Sequence, residues 1–487
     1  MKRNIFTYAL VLLFFTTSCS DFLDVDSRHA ESEEQQWTSV ADTRSALMGV
    51  YAQARAALVS HNLHWICGEL PMGDFSVRES AELKSIQQGN FSTIDYSRFY
   101  TAINAASVFI ENAPKTEAAD QAYSEQNLKW DVAQARALRA FLYYYMSRIF
   151  GDVPLVKHSY TGDQFTSTVE ASSQEAVLAW AKSELLKAAE DLPLQLGTKT
   201  NKYYEQEPSY WQGILFTKSS ALAILAHISA MTNNYADCAS YCQQIISNQK
   251  GSDGSTLAKT STVASIVSST GLFSSDNRTY AANRLVAFVS PYSAGEARSE
   301  GHFESLTLAS PYVRRQYPDI YVSRDSLQSI YSETQDQRLG IDTTTMSYNN
   351  NYVDMNTTYP IFKKINVVQD GSGKDIDYAV YSSALVFSRL EDIILLKAEA
   401  EWVLGNTAEA LELLNQIRVS RGLGRVTMNY HFKNDRKRLL DAIFLERRRE
   451  LIGEGWRWYD NIRRQKLLKD NPELLQRIEN NNIYWKK

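Results

Sequence analysis

The clearest structural pattern in the sequence lies in residues 389–464, which read RLEDIILLKAEAEWVLGNTAEALELLNQIRVSRGLGR (389–425) and, after a short polar loop, KRLLDAIFLERRRELIGEGWRWYDNIRR (437–464). Apolar residues recur at Ala410, Leu414 and Ile417, which is the i, i+4, i+7 spacing of one helix face. Gly405 predicts the end of the preceding helix, because glycine tolerates the left-handed backbone of a helix C-terminus. A third helix is predicted from about 437 to 452. Three helices with short joints predict the helical hairpins that stack in tetratricopeptide-type repeats.

A second pattern in the same stretch consists of AEA at 398–400, Asn415, Arg418, ERRREL at 446–451, EG at 454–455, Arg457 and Asp460. These positions resemble the C-terminal signature of the SusD/RagB family, which are surface glycan-binding lipoproteins of Gram-negative bacteria. The segment ARALRAFLYYYMSRIFGDVPLV at 135–156 is a second match to the family. The resemblance implies an all-α fold, in which a tetratricopeptide-like helical-repeat scaffold carries a large loop-rich ligand-binding region.

The resemblance also implies a function without catalysis and without a cofactor. Family members capture oligosaccharides and deliver them to a partner SusC-like TonB-dependent transporter in the outer membrane. Peptides are the alternative ligand, because the family includes proteins of both kinds. Two other classes are weighed against this interpretation, namely a surface glycan hydrolase and a purely structural repeat protein that docks a partner.

The N-terminus has the features of a secretory signal. Two basic residues precede an apolar run at 5–15 that is too short to span a membrane, and small polar residues then lead to Cys19. A cysteine in this position resembles a bacterial lipobox, which implies cleavage before Cys19 and its lipidation; an ordinary signal peptide with a chance cysteine is the alternative. Six acidic residues between 20 and 34 predict a solvated tether. The predicted segments are a signal peptide (1–18), an acidic lipid-anchored tether (19–36) and a SusD-like domain (37–487) on the outer face of the outer membrane.

Composition limits the classes of partner. The formal net charge is −5 and the ERRRE helix holds the only basic cluster, so a polyanion such as nucleic acid is not an expected ligand. The chain holds 28 tyrosines and 9 tryptophans, and the faces of such rings pack well on sugars. No second apolar stretch approaches 18 residues, so no other segment is predicted to span a membrane.

The rest of the chain divides by its periodicity. Helices are predicted at 37–58, 100–111, 133–150, 173–192, 216–230 and 235–247, which together form an N-terminal helical scaffold over 37–249. Residues 63–96 break the helical pattern and resemble the first binding-loop region of the family. Residues 250–382 have no helical period, apart from a short strand predicted at 285–290. Long irregular segments on a rigid scaffold are usually functional, so the ligand region is predicted at 250–382 and the signature region at 383–487.

Three carboxylates, Glu446, Glu450 and Glu454, are predicted to share one helix face. Paired carboxylates about 5–9.5 Å apart hydrolyse glycosidic bonds, whereas several like charges on one face indicate internal arginine partners. We favour the second interpretation, with Arg389, Arg418, Arg447 and Arg457 as the candidate partners. Structural ion pairs are likewise predicted for Arg136 and Arg139.

The spacing of His61, His64 and Cys67 is typical of metal ligands, but a fourth ligand is not apparent, and no metal is expected. Cys238 and Cys242 share one face of a predicted helix, where a disulfide would need strained geometry. The sequence therefore predicts buried free thiols.

Candidate ligand-binding residues are aromatic rings and planar polar groups in the irregular segments. A sugar needs a flat apolar platform together with fixed donors and acceptors for its hydroxyl groups. The candidates are Trp65, Phe75, Arg78 and Tyr96 in the first loop region, and Tyr280, Tyr292, His302, Tyr312, Tyr317, Tyr321 and Tyr352 in the second. An acidic sugar or a peptide carboxylate would add an arginine, for which Arg78, Arg284 and Arg314 are available.

Overall fold

The structure of the protein is a computed structural model, which describes residues 37–480 except for 89, 91–93, 161–167, 343–346, 349, 356 and 371–378. The predicted signal peptide, the predicted tether and Cys19 lie outside these residues. None of the described helices is long and apolar enough to cross a membrane.

Helices dominate the described residues. In the first half of the chain they are α1 Val40–Val59, α2 Leu63–Glu69, α3 Ala81–Gln87, α4 Ser97–Ala119, α5 Glu125–Phe150, α6 Gln174–Asp191, α7 Pro208–Trp211, α8 Lys218–Met231 and α9 Tyr235–Ser247. In the second half they are α10 Val263–Val267, α11 Glu304–Thr307, α12 Arg324–Ile330, α13 Leu390–Val403, α14 Thr407–Ser420, α15 Arg436–Leu451, α16 Arg457–Leu468 and α17 Pro472–Asn480.

The strands are short. They are β1 Phe75–Val77, β2 Val153–Pro154, β3 Ala171–Ser172, β4 Val286–Phe288, β5 Ile320–Val322, β6 Ile341–Asp342, β7 Ser347–Tyr348, β8 Tyr352–Val353, β9 Ile361–Phe362, β10 Val368–Asp370, β11 Val380–Tyr381 and β12 Leu385–Ser388. They form antiparallel pairs: β1 with β5, β2 with β3, β4 with β12, β6 with β7, β8 with β9 and β10 with β11.

The long helices form a row in which each packs on the next, in the order α1, α4, α5, α6, α8, α9, α13 and α14. Side chains cap their starts: Ser39, Ser124 and Ser173 each accept a backbone N–H from the first turn of α1, α5 and α6. These caps satisfy donors that a helix start would otherwise leave unpaired. The predicted all-α, tetratricopeptide-like scaffold is confirmed.

Helix α5 lies inside this row. Nearly every side chain from Ala133 to Ile149 is buried, because α4 and α6 cover its two sides. The Arg139 guanidinium donates to the Glu184 carboxylate at 3.1 Å, and Arg136 lies 3.9 Å from the same group. The predicted structural ion pairs are therefore confirmed.

Among its described residues, 250–382 holds no long helix, as predicted, but it holds short helices and several paired strands where only one strand was predicted. The strand predicted at 285–290 is β4, which pairs with β12 directly before α13. Phe273, Phe303 and Ile320 belong to the same hydrophobic core as the helices. The loop-rich region thus packs tightly on the scaffold.

The interpretation of residues 63–96 as irregular is wrong for α2 and α3. All seven residues of α2 are buried, because the helix packs against α1, α3 and α16. A short helix that is buried on every side shows no amphipathic period, so its sequence has no helical signature.

Oppositely charged side chains form a buried charge cluster between α15, the start of α13 and the loop region. The pairs are Glu446–Arg338 (2.8 Å), Glu450–Arg421 (2.7 Å), Glu450–Arg389 (2.8 Å), Glu454–Arg389 (2.8 Å) and Glu454–Lys364 (2.5 Å). The predicted arginine partners are confirmed for Arg389 and for Arg418, which lies 3.9 Å from Glu446. Because all three carboxylates are buried and paired, they present no acid or base to a ligand.

The prediction that Arg447 and Arg457 pair with these carboxylates is wrong. Arg447 binds Asp392 at 3.0 Å and Asp460 at 2.9 Å, and Arg457 binds Asp74 at 2.7 Å. Arg447 follows Glu446 directly, and successive side chains on a helix point about 100° apart. It therefore faces a different neighbour.

The cysteines within the described residues are free and buried, as predicted for Cys238 and Cys242, and Cys67 is the third. His64 bonds to the Tyr145 hydroxyl at 2.8 Å and to the Glu454 carbonyl at 3.0 Å, so both of its ring nitrogens are used. Across the described part of the chain, no three His, Cys, Asp or Glu side chains are grouped to hold a metal ion.

Candidate ligand-binding surface

Three tyrosines and one arginine from distant parts of the chain meet at one partly exposed surface. Strands β1 and β5 pair so that Ser76 lies opposite Tyr321, which brings the residue after β1, Arg78, to the segment before β5. The Arg78 backbone N–H donates to the Asp319 carbonyl at 2.9 Å, and its side-chain Nε donates to the Pro318 carbonyl at 3.1 Å. We call Arg78, Tyr317, Tyr321 and Tyr359 the tyrosine surface.

The rings of the tyrosine surface hold one another in fixed positions. The Tyr359 ring centroid lies 5.2 Å from that of Tyr317 and 5.0 Å from that of Tyr321, with interplanar angles of 60° and 82°. The Arg78 guanidinium carbon lies 5.9 Å from the Tyr317 ring centroid. Tyr317 is 42% exposed, so part of its ring is available to a ligand.

The chemistry of this surface suits a ligand that is apolar on its faces and polar at its edges. Ring faces pack on C–H groups, while phenol hydroxyls and a guanidinium supply hydrogen bonds to hydroxyl oxygens. The Arg78 side chain is already held by Pro318 and by ion pairs to Glu79 and Asp319. Little side-chain freedom is therefore left to lose when a ligand binds.

Sequence reasoning identified three of the four residues of the tyrosine surface. Arg78, Tyr317 and Tyr321 were candidates from two separate segments, and the structure brings them together. Tyr359 was missed, although it lies in an irregular tyrosine-containing segment of the kind that supplied the other candidates.

Five other candidates are buried, and their predicted place on an exposed loop surface is wrong: Trp65, Phe75, Arg284, His302 and Tyr352. Trp65 stacks on Phe303 with centroids 5.8 Å apart, and Phe75 packs against the edge of the same ring at 5.4 Å. The Arg284 Nε donates to the Leu272 carbonyl at 2.8 Å, and burial lowers the pKa of its guanidinium to about 10. Trp65, Phe75 and Tyr352 lie in α2, β1 and β8, which turn their side chains inward.

The remaining candidates are at least partly exposed: Tyr96, Tyr280, Tyr292, Tyr312 and Arg314. Tyr96 packs on Tyr100 and Phe150 with centroid distances of 5.6 and 5.3 Å. Tyr312 joins a small apolar cluster around Leu308 and Val313.

A second feature is a cleft of about 1110 Å³ between the C-terminal half of α1, the segment after α7 and the loop after β4. Its charged lining includes four arginines that the sequence did not single out, Arg55, Arg98, Arg278 and Arg298. We call this feature the arginine cleft. Scattered single arginines have no spacing signature, so no sequence signal linked them.

A hydrogen-bond chain lies beside this cleft and includes the candidate His302. The His302 Nδ1 lies 2.8 Å from the Ser383 hydroxyl, which in turn lies 2.9 Å from a Glu304 carboxylate oxygen. In a serine-hydrolase triad the histidine stands between the serine and the carboxylate. Here the serine stands between them and all three are buried, so the arrangement does not match a nucleophilic site.

Comparison with known proteins gives consistent matches over nearly the whole chain. The model of the SusD family matches residues 230–484. SusD-like protein P38 of Formosa agariphila is 23% identical, over 94% of this chain and 90% of its own length. Among solved structures, a SusD superfamily protein from Bacteroides thetaiotaomicron is 46% identical, covers 93% of this chain and 95% of its own, and superposes with a TM-score of 0.84.

A second solved structure, described as a putative sugar binding protein from Bacteroides vulgatus, has the same fold. It is 20% identical, with 88% of this chain and 87% of its own covered, and its TM-score is 0.65. The signature in α13–α16, the helical-repeat scaffold and these matches agree. This chain belongs to the SusD family.

Proposed function

We propose that this protein is a non-catalytic carbohydrate-binding protein that captures oligosaccharides at the tyrosine surface. It then delivers them to a SusC-like TonB-dependent transporter of the outer membrane. The observation that carries the proposal is the meeting of Tyr317, Tyr321 and Tyr359 with Arg78 at one partly exposed surface. Membership of the SusD family and the relative described as a putative sugar binding protein support it.

The mechanism is capture on a preformed platform. The Tyr317 ring packs on one face of a sugar, while the Tyr321 and Tyr359 rings, nearly perpendicular to one another, border it. Arg78 donates to hydroxyl oxygens. Because the β1–β5 pairing fixes the segments that carry Arg78, Tyr317 and Tyr321, binding needs little rearrangement of their backbone. Release then depends on the transporter.

The test is calorimetric titration of the purified mature protein with a panel of neutral oligosaccharides and peptide digests. We expect saturable binding of an oligosaccharide without product formation, and a loss of affinity of at least about tenfold in Tyr317→Ala, because the ring face is removed from the platform. Tyr430→Ala is the matched control, since Tyr430 is 82% exposed and belongs to a different loop.

Three outcomes would contradict the proposal. Hydrolysis of a bound oligosaccharide would make the protein an enzyme. Saturable binding of peptides alone would change the class of ligand. Equal loss of affinity in the Tyr317 and Tyr430 variants would mean that the tyrosine surface is not the site.

We also propose that residues 1–18 are removed, that Cys19 is lipidated and that residues 19–36 tether the domain of residues 37–487 to the outer face of the outer membrane. Each buried methylene contributes about 0.8 kcal/mol to membrane binding, so several acyl chains on one cysteine anchor a chain firmly. In tagged full-length protein purified from outer membranes, we expect an N-terminal peptide that starts at an acylated Cys19, together with a co-purifying TonB-dependent barrel.

The matched variants are Cys19→Ser, which is expected to lose acylation, and Cys67→Ser, which removes a buried thiol and is expected to keep it. An N-terminal peptide with an unmodified Cys19 would contradict lipidation and favour an ordinary signal peptide. Absence of any barrel from acylated protein would contradict the delivery step alone.

A further inference from the structure

The arginine cleft carries more positive than negative charge. Four arginines line it, whereas its carboxylates are Glu296 and Glu300. The chain as a whole is acidic, with a net charge of −5, so this excess of arginine is local. Local excess charge in a cleft concentrates ligands of the opposite sign.

None of the four arginines forms an ion pair within the described part of the chain. The Arg278 Nη1 donates to the Tyr210 carbonyl at 2.9 Å, and the Arg298 Nη1 donates to the Gly295 carbonyl at 2.9 Å. In contrast, Arg389 and Arg421 in the buried charge cluster each bind carboxylates. The guanidinium groups of the cleft therefore keep their charge available to a ligand.

Arg55 is held in the cleft by a histidine. It is half-buried, and its Nη2 lies 3.2 Å from the His302 Nε2. Since an arginine only donates, His302 accepts on Nε2 and carries its proton on Nδ1, which donates to Ser383; the Ser383 hydroxyl then donates to Glu304. Burial lowers the pKa of His302 well below its usual value, so the ring is neutral and holds Arg55 in place. The Glu304 and Glu296 carboxylates act on the charge of Arg55 but form no ion pair with it among the described residues.

The Arg55 Nε has no hydrogen-bond partner among the described residues, although it is buried. A buried donor on a charged group without a partner is unfavourable, and an oxyanion would satisfy it if the Arg55 side chain turned this donor toward the cleft. Burial lowers the pKa of Arg55 to about 10, so the group is still charged at neutral pH.

The dimensions and the apolar lining of the cleft suit an oligosaccharide rather than a small ion. Its volume of about 1110 Å³ exceeds that of most sites for single small molecules. The Tyr210 ring is 42% exposed at the edge of the cleft, and the Arg278 guanidinium carbon lies 4.8 Å from its centroid. Ring faces beside guanidinium groups match sugar rings that carry acidic substituents.

The cleft also adjoins the tyrosine surface. Leu306 lines the cleft, and its carbonyl accepts the Asp319 backbone N–H at 2.9 Å, directly before β5.

We infer that the arginine cleft is a second binding site, which takes the carboxylate or sulfate groups of an acidic carbohydrate. This inference rests on the proposed function and adds a class of ligand to it.

The test compares acidic oligosaccharides with their neutral derivatives, using the full mature protein. The probes are a galacturonate oligosaccharide with its carboxyl-reduced form, and a sulfated oligosaccharide with its desulfated form. We expect one acidic member to bind at least about tenfold more tightly than its neutral derivative at low salt, because charge-assisted hydrogen bonds form only with the acid. The preference should shrink as salt rises.

Arg55→Met and Arg298→Met are each expected to reduce this preference about fivefold or more. Arg298 is exposed, so its variant keeps the test valid if Arg55→Met fails to fold. Arg438→Met is the matched control, since it removes an exposed charge from α15.

The outcomes separate the two proposals. Equal affinity for acidic and neutral forms, with binding still dependent on Tyr317, would overturn the acidic site and leave the proposed function standing. An acid preference that survives in both cleft variants would also overturn the inference. Failure of every oligosaccharide to bind would overturn the proposed function, and the inference with it.

Discussion

Replacing Arg389 with methionine is expected to lower the free energy of unfolding by about 3–5 kcal/mol, because it removes one of the positive partners of two buried carboxylates. The Arg389 guanidinium donates to Glu450 at 2.8 Å and to Glu454 at 2.8 and 2.9 Å, and all three side chains are buried. Methionine fills much of the volume but supplies no positive charge. The lower free energy of unfolding therefore measures the cost of desolvated carboxylates rather than the cost of a cavity.

Urea unfolding of the wild type and the variant measures this difference. Arg425→Met is the matched control: Arg425 pairs with Glu412, both side chains are exposed, and the free energy of unfolding should stay essentially unchanged. Similar losses in the two variants would show that the charge of Arg389 has no special role.

The same experiment has an expected pH dependence. Burial alone would raise the pKa of Glu450, but Arg421 and Arg389 hold it well below its usual value of 4.5. The folded state then binds fewer protons than the unfolded chain, so this stabilisation is present above pH 4.5 and is lost as the pH falls below it. The difference between the wild type and Arg389→Met should shrink over that acidic range.

The buried charge cluster links the C-terminal signature to the loop-rich region of residues 250–382. Arg338 and Lys364 belong to residues 250–382, and they bind Glu446, Glu450 and Glu454. Lys364 is the second residue after β9, and Tyr359 of the tyrosine surface is the second residue before that strand. The signature helix thus fixes the segment that carries part of the candidate site.

The helical scaffold was predictable because its pattern is local. Helices α13, α14 and α15 show their apolar spacing and their ends within short windows, and the structure places them within a few residues of the prediction. The shared face of Glu446 and Glu450 follows from helix geometry in the same way. The identity of their partners does not, because Arg338 and Arg421 reach them only through the tertiary fold.

The candidate site was only partly predictable for the same reason. Composition indicated which segments are irregular, but not which of their aromatic side chains point inward. Trp65 and Phe75 were candidates for exposure and are buried, whereas Tyr359 is part of the surface. Arg78 joins Tyr317 through contacts to residues about 240 positions later, as in its bond to the Pro318 carbonyl. Such pairings are set by strand register, which no local pattern encodes.

Gly455→Ala is expected to lower the free energy of unfolding by about 3 kcal/mol, which is the second large effect. The substitution lies at the contact between α2 and the signature region. Gly455 has φ +77°, and a Cβ there would lie 2.7 Å from the His64 Nε2 and 2.8 Å from the His64 carbonyl oxygen. The left-handed backbone contributes about 1–2 kcal/mol of strain for alanine, and the overlap adds about 1–3 kcal/mol. The carbonyl belongs to the buried helix α2, so it has no free space into which to move.

The Gly455 backbone also makes a bond that the overlap would displace. Its N–H donates to a Glu69 carboxylate oxygen at 2.7 Å, and the Trp456 N–H donates to the same oxygen at 3.2 Å, directly before α16. Glu69 is buried at the end of α2, where burial raises the pKa of its carboxyl group to about 7. The contact therefore joins the two helices through a polar group that has little access to water.

Two other glycines separate the contributions to this loss in thermal or urea unfolding. Gly73→Ala tests backbone strain alone, because Gly73 has φ +72° and a Cβ there would meet nothing within 4 Å. Gly424→Ala tests neither effect, since its Cβ also meets nothing and its φ is not in the left-handed region. The destabilisation is expected to be smallest for Gly424→Ala, larger for Gly73→Ala and largest for Gly455→Ala. Equal losses at Gly73 and Gly455 would mean that the close approach of α2 to the signature region contributes nothing, and that backbone conformation alone requires glycine there.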